Sequence, residues 1–158
     1  MAGRGPVRRR GKAYEVKLGD EERAALRDLC QQLRELLVKE SPSSDPGVAR
    51  LFPPAYPDDL LQNLDYERTA GNDLLAQRLA AIDIVSGSID AKRLTEEQLL
   101  AWLSATNDLR LVMGTRLGVT EESTEADFAE DEAAEQAYGL YSYLTWLVAE
   151  FVEALGGD

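Results

Sequence analysis

The densest group of side chains able to do chemistry lies between Ala101 and Glu122, AWLSATNDLRLVMGTRLGVTEE. On a helix Leu103, Asn107, Arg110, Gly114 and Leu117 recur at spacings of three and four and share one stripe. A glycine inside a helix costs about 1 kcal/mol against alanine, so Gly114 is expected to admit a close neighbour. Arg110, once partly buried, needs a partner. Asp83, the odd acid in an apolar run, is the natural candidate. One reading makes Asp83, Asn107, Asp108 and Arg110 a small-ligand site. The preferred reading makes them a polar clamp between helices.

The remaining chemistry is bounded by what is missing. The chain of 158 residues has no histidine and one cysteine, Cys30. Ser-His-Asp and Cys-His nucleophiles, an imidazole base, a zinc site built on His or paired Cys, and an intrachain disulfide are all excluded. Carboxylate, lysine or tyrosine chemistry is left, or none. The acids show neither the Glu-x-x-His pattern of di-iron bundles nor the glycine and alternating ligands of an EF-hand loop. No catalytic residue, metal site or cofactor is therefore assigned. Cys30 lies on an apolar helix face and is expected to be a buried, inert thiol.

Charge is uneven. The chain has 17 basic and 29 acidic residues, a net of -12. Residues 1–12 carry Arg4, Arg8, Arg9, Arg10 and Lys12 and no acid, so the rest has a net of -17. Arg8, Arg9, Arg10 and Lys12 form a small basic patch able to touch phosphate or an acidic protein. The plainer and favoured reading is a solvated strand and tail. Gly5–Lys12 has the wrong spacing for a phosphate loop and no hydroxyl after the lysine.

Several elements must position these groups. Alternation at Tyr14, Val16 and Leu18 predicts a strand, and Gly11-Lys12 the turn of a hairpin with Val7–Arg10. Asp20 is placed as the N-cap of a helix over 21–39, whose apolar face is Leu26, Leu29, Cys30, Leu33, Leu36 and Leu37. Five of six prolines fall between Pro42 and Pro57, which predicts a long connection without regular helix, anchored by Leu51, Phe52 and Tyr56. A short helix over 58–66 is expected next, then a third long helix capped by Asn72. Thr95-Glu96-Glu97-Gln98 is a capping box opening a helix to Leu117, with Gly118 as its C-cap. Residues 121–135 hold eight acids and no base, which reads as a solvated or disordered segment containing a lone Phe128. The last helix, over 133–155, is apolar nearly all round, as in a central or interface helix. Its Tyr141, Trp146 and Phe151 exceed what a small core needs and are assigned to an interface. The expected fold is mainly α: a single domain, a bundle of four to five helices with a short N-terminal β-hairpin. Its parts are a basic hairpin (1–18), a helical core (19–120), an acidic linker (121–132) and an aromatic C-terminal helix (133–156). No apolar run is long enough to span a bilayer and none follows the basic N-terminus, so neither membrane insertion nor a signal peptide is expected. A lone cysteine suits the cytoplasm.

Asn107-Asp108, Arg110-Leu111 and Gly114–Thr120 (GTRLGVT), with Tyr141–Leu147 (YSYLTWL), Leu51–Asp59 (LFPPAYPDD) and the hairpin-then-helix opening, resemble an actinobacterial family of domains of unknown function that includes the oxidative-stress regulator AosR. The resemblance covers nearly the whole chain. It implies a cytoplasmic, non-enzymatic homodimer that controls transcription under oxidative stress by contacting a sigma factor of RNA polymerase. It also implies a context beside the Clp adaptor ClpS. The family's redox sensing uses a cysteine pair, and Cys30 has no partner in its chain; only a Cys30–Cys30 bridge between subunits remains open. The expectation is a non-catalytic regulatory protein acting by protein binding. The alternatives are direct DNA binding through the hairpin, an accessory role in Clp proteolysis, and a small-ligand site at Asp83, Asn107 and Arg110.

Overall fold

The computed structural model describes residues 5–52 and 60–156, and of 60–72 the backbone alone. Arg4, the prolines at 53, 54 and 57, and Tyr56 lie outside the described residues. Strand β1 (Val7–Arg10) and β2 (Ala13–Val16) form the expected antiparallel hairpin, with Val7 opposite Val16 and Arg10 opposite Ala13. Gly11 turns it at φ 66°, a left-handed conformation that glycine adopts without a Cβ penalty. A two-residue strand β3 (Arg93–Leu94), not foreseen in the sequence, pairs with β2 and makes a three-stranded sheet in the order β1-β2-β3. Val7, Tyr14, Val16 and Leu94 face inward and are buried. The marginal hairpin thus gains both a third strand and a core face.

Helix α1 (Asp20–Lys39) begins one residue earlier than expected, because Gly19 is its N-cap and Asp20 its first residue. Asp20, Glu21 and Glu22 then fill the first turn, where the helix dipole favours acids. Arg23 is buried, and among the described residues no carboxylate pairs with it. Its guanidinium donates to the carbonyls of Leu18 (3.1 Å), Val16 (3.1 Å), Ile89 (2.6 Å) and Ala91 (2.9 Å). One side chain therefore ties β2 and α1 to the connection before β3.

The proline-rich connection does contain helix, contrary to expectation. Helix α2 (Pro46–Ala49) is a single turn whose cap, Asp45, accepts from Gly47 N–H (2.7 Å) and Val48 N–H (3.1 Å). Pro46 sits in the first turn, where a missing N–H costs nothing. The two helices expected over 58–66 and after Asn72 are one, α3 (Leu60–Ser88), and Asn72 lies in its interior rather than at a cap.

Helix α4 (Glu96–Leu117) is the hub, packed against α2, α3 and α5 and more lightly against α1. Its ends follow the sequence reading. Thr95 accepts from Gln98 N–H (3.1 Å), Gln98 accepts from Thr95 N–H (2.9 Å), and Gly118 closes the helix at φ 70°. Trp102 is fully buried and donates Nε1–H to Ser88 Oγ (2.8 Å).

The acidic segment has defined structure. A 3-10 turn covers Glu125–Phe128, and α5 (Glu132–Gly156) starts one residue before the expected boundary. Phe128 is not alone: its ring stacks on Tyr138 at 4.6 Å, and Tyr138 stacks on Tyr141 at 6.1 Å. The result is a mainly α bundle, five α-helices among the described residues, with the small sheet at its N-terminal side.

Candidate functional site

The polar residues of α4 divide between two neighbours. Asp108 is 2% exposed, and its Oδ1 accepts from Arg78 Nη1 at 2.7 Å. Arg78 also donates Nε and Nη2 to the Leu51 carbonyl, at 3.2 and 2.9 Å, and its guanidinium lies 5.7 Å over the Phe52 ring. One cation thus joins α3, α4 and the end of the proline-rich connection. Asp108 Oδ2 is buried and has no hydrogen-bond partner among the described residues. Burial raises the Asp108 pKa to about 6, with Arg78 pulling against it through charge and hydrogen bond. The ion pair therefore stands in an environment that charges the carboxylate a desolvation cost.

The inter-helix ion pair that the structure shows is Arg78–Asp108, not the expected clamp of Asp83 with Arg110. Asp83 and Arg110 do not pair. Asp83 is exposed and accepts from Arg34 Nε at 3.2 Å. Arg110 donates Nε and Nη2 to Asn107 Oδ1 on its own helix, at 3.2 and 2.9 Å. Arg78 carried a legible signal that went unused, since it lies on the stripe with Ile82, Val85 and Ile89. Gly114 behaves as expected: a Cβ there would stand 3.0 Å from Tyr141 Cε1, so the glycine seats that ring.

Cys30 is fully buried, and its pKa is pushed up to about 12 by burial and by the negative charge of Asp108. A protonated thiol without access is a poor nucleophile. A Cys30–Cys30 bridge between subunits would require this buried side chain to become exposed first.

Two surfaces carry what the core does not absorb. The first is the outer face of the sheet. Arg8, Glu15 and Arg93 stand opposite one another across the three strands. Glu15 lies 3.8 Å from Arg10 and 3.7 Å from Lys17. Residues 5–18 and 91–94 together hold Arg8, Arg9, Arg10, Lys12, Lys17, Lys92 and Arg93 against the single acid Glu15. That leaves 10 of 17 basic and 28 of 29 acidic residues, a net of -18, for the rest of the chain. The basic patch is therefore larger than the hairpin alone, because β3 adds Arg93 to it and Lys92 directly precedes that strand. The second surface is on α5, where Trp146 is 45% and Val152 53% exposed and Tyr141 half-buried. Trp146 packs beside Tyr143 at 5.8 Å, whose hydroxyl donates to Glu22. Phe151, expected at the interface, is instead a core residue, fully buried edge-on to Trp102 at 6.4 Å.

A family model described as a domain of unknown function (DUF2017) matches residues 4–155. The chain belongs to the DUF2017 family. No curated protein and no solved structure matches it. In this DUF2017 chain Asp108 ties α4 to α3, whereas Asn107 and Arg110 pair with each other within α4. A groove of about 350 Å³ does open between α1 and α4, floored by Leu29, Leu36, Leu109 and Met113. None of Asp83, Asn107, Asp108 and Arg110 lines it. Among the described residues no helix is long and apolar enough to cross a membrane.

Proposed function

We propose that this DUF2017 protein is a non-catalytic, dimeric regulatory protein that acts by binding other proteins. The observation that carries the reading is the separation of its surface. An uncharged, partly exposed aromatic face lies on α5, and the body outside the sheet has a net charge of -18. Exposed aromatic and apolar side chains of this kind mark association surfaces. An acidic body complements the basic surface of a nucleic-acid-binding protein. The resemblance to the actinobacterial family of AosR supports a cytoplasmic, stress-response role in which that partner is a sigma factor or RNA polymerase. Proteolysis beside Clp is the other context the resemblance suggests.

The direct test is binding of purified RNA polymerase holoenzymes, each loaded with one sigma factor of the host, by interferometry at low and moderate salt. Salt-sensitive binding to a stress-response sigma factor is expected. No binding to any holoenzyme at low salt overturns the reading. Affinity purification from the host with and without peroxide names partners outside that set.

One observation favours a second reading, direct DNA binding. The pairing of β3 brings Lys92 and Arg93 beside Arg8–Lys12 and Lys17 on one sheet. That reading predicts a salt-dependent mobility shift of duplex DNA by the protein alone. No shift at low salt removes it.

A further inference from the structure

Helix α5 holds opposite charges apart. Its N-terminal end carries the acidic segment 121–135, pinned there by the Phe128–Tyr138 stack and by the Tyr138 hydroxyl, which donates to the Ser123 carbonyl at 3.5 Å. Its C-terminal end carries the basic sheet, for β1 packs on α5 and a Cβ at Gly5 would meet the Glu150 carboxylate. Glu132 and Glu150 are separated by about 27 Å of helix at 1.5 Å per residue, so the two charged ends of one chain cannot neutralise each other. Between them residues 136–149 contain no charged side chain. The exposed positions of that run are Gln136, Gly139, Ser142, Thr145, Trp146 and Ala149, with Val152 just beyond. Gly139, Ser142, Trp146 and Ala149 follow the three-four spacing of a helix-pairing seam. Three of those four are small and allow close approach, and Trp146 supplies the protruding side chain.

We infer, on the dimeric reading above, that a second copy of this chain covers the α5 face, antiparallel about a two-fold axis. The basic sheet of each copy then meets the acidic segment of the other. The face is bracketed by opposite charges, so its complement, read end to end, is the same face reversed. A parallel pair would set acidic segment against acidic segment and sheet against sheet, which is repulsive at both ends. A head-to-tail arrangement would leave one acidic and one basic end unsatisfied in every open assembly and needs a ring of more than two copies to close, whereas the two-fold arrangement closes with two. A sheet occupied by the partner copy is not free for nucleic acid, so the dimer alone does not shift DNA.

A charge swap tests the arrangement. Lys92→Glu with Arg93→Glu is expected to weaken self-association on the order of tenfold, about 1.4 kcal/mol. Adding Glu125→Lys and Glu130→Lys returns the net charge to that of the native chain and restores the dimer. All four residues are exposed, and circular dichroism checks that each variant is folded. In parallel, an equimolar mixture of ¹⁴N- and ¹⁵N-labelled chains is treated with a carbodiimide, which joins lysines to carboxylates in direct contact. Mixed-label cross-links from Lys12, Lys17 or Lys92 to acids in 121–135 are expected. A dimer that persists without such cross-links, or a swap that fails to restore it, overturns the antiparallel arrangement and leaves the dimeric reading standing. A native chain that stays monomeric at high micromolar concentration overturns both.

Discussion

Replacing Arg78 with alanine tests whether the buried pair on α4 is ionised and what it holds. The substitution removes the Asp108 contact at 2.7 Å and both bonds to the Leu51 carbonyl. Breaking a buried pair by deleting one partner costs roughly 3–5 kcal/mol, and because the Arg78 side chain is 21% exposed the lower end applies. The Leu51 carbonyl loses a charged donor, worth about 1.5–3 kcal/mol on its own. These contributions respond differently to pH. Asp108 has its folded pKa raised to about 6, above the ordinary carboxyl value, because the fold disfavours its charged form. In the native protein this carboxyl's contribution to stability is therefore fully present below the unfolded pKa and is lost as pH rises through about 6. Without Arg78 the folded pKa rises further. At pH 5 the carboxyl is protonated in both folded proteins, and the difference between them is the Leu51 part, about 2 kcal/mol. At pH 8 the native carboxylate has its guanidinium and the variant's has none, and the difference grows to about 3 kcal/mol. Urea denaturation of both proteins at pH 5 and pH 8, with unchanged m-values, reads this directly. An equal loss at the two pH values would refute the claim that Arg78 stabilises an ionised Asp108, and a loss below 1 kcal/mol at both would refute the clamp itself.

Other perturbations reach separate parts of the account. Ser88→Ala leaves the buried Trp102 Nε1–H without its acceptor and should cost about 1–3 kcal/mol in the same assay. Arg23→Met strands four carbonyls around a buried site and should lower stability by 3 kcal/mol or more, on the order expected for losing a buried, fully bonded charge. Gly114→Leu drives a side chain into Tyr141 and should cost about 1–3 kcal/mol by overpacking, while a value near zero would show that the ring moves freely. The Cys30 thiol should react with a disulfide reagent only after urea unfolding, and peroxide should yield no cross-linked dimer on a non-reducing gel.

Local signals in the sequence translated well. Thr95 with Gln98, Gly118 and Gly114 each depend on neighbours within one helix turn or on a missing Cβ, and each plays its expected role. Pair selection did not translate. Asp83 stood out as the acid in an apolar run, yet it sits one residue past the buried stripe and meets Arg34 at the surface. Arg78 lies on the stripe itself, but its partners Asp108 and Leu51 are 30 and 27 positions away and come near only through packing. The phase of α5 was illegible for a related reason. With no charge between Gln136 and Ala149, nothing in that run marks a wet side, so Phe151 and Trp146 look alike although one is fully buried and the other 45% exposed. Strand β3 is two residues long and owes its form to pairing with Tyr14 and Glu15 rather than to its own pattern. The acidic segment reads as solvated or disordered by composition, and what fixes it is the stack of Phe128 on Tyr138 together with the bond from the Tyr138 hydroxyl to the Ser123 carbonyl.

The central claim is that the aromatic face of α5 is an association surface. Light scattering on the eluting protein at high micromolar concentration tests it most directly. A mass twice the 17.4 kDa of the chain is expected, falling to that of one chain when Trp146 is replaced by aspartate. A native protein that elutes at 17.4 kDa across the concentration range contradicts the account.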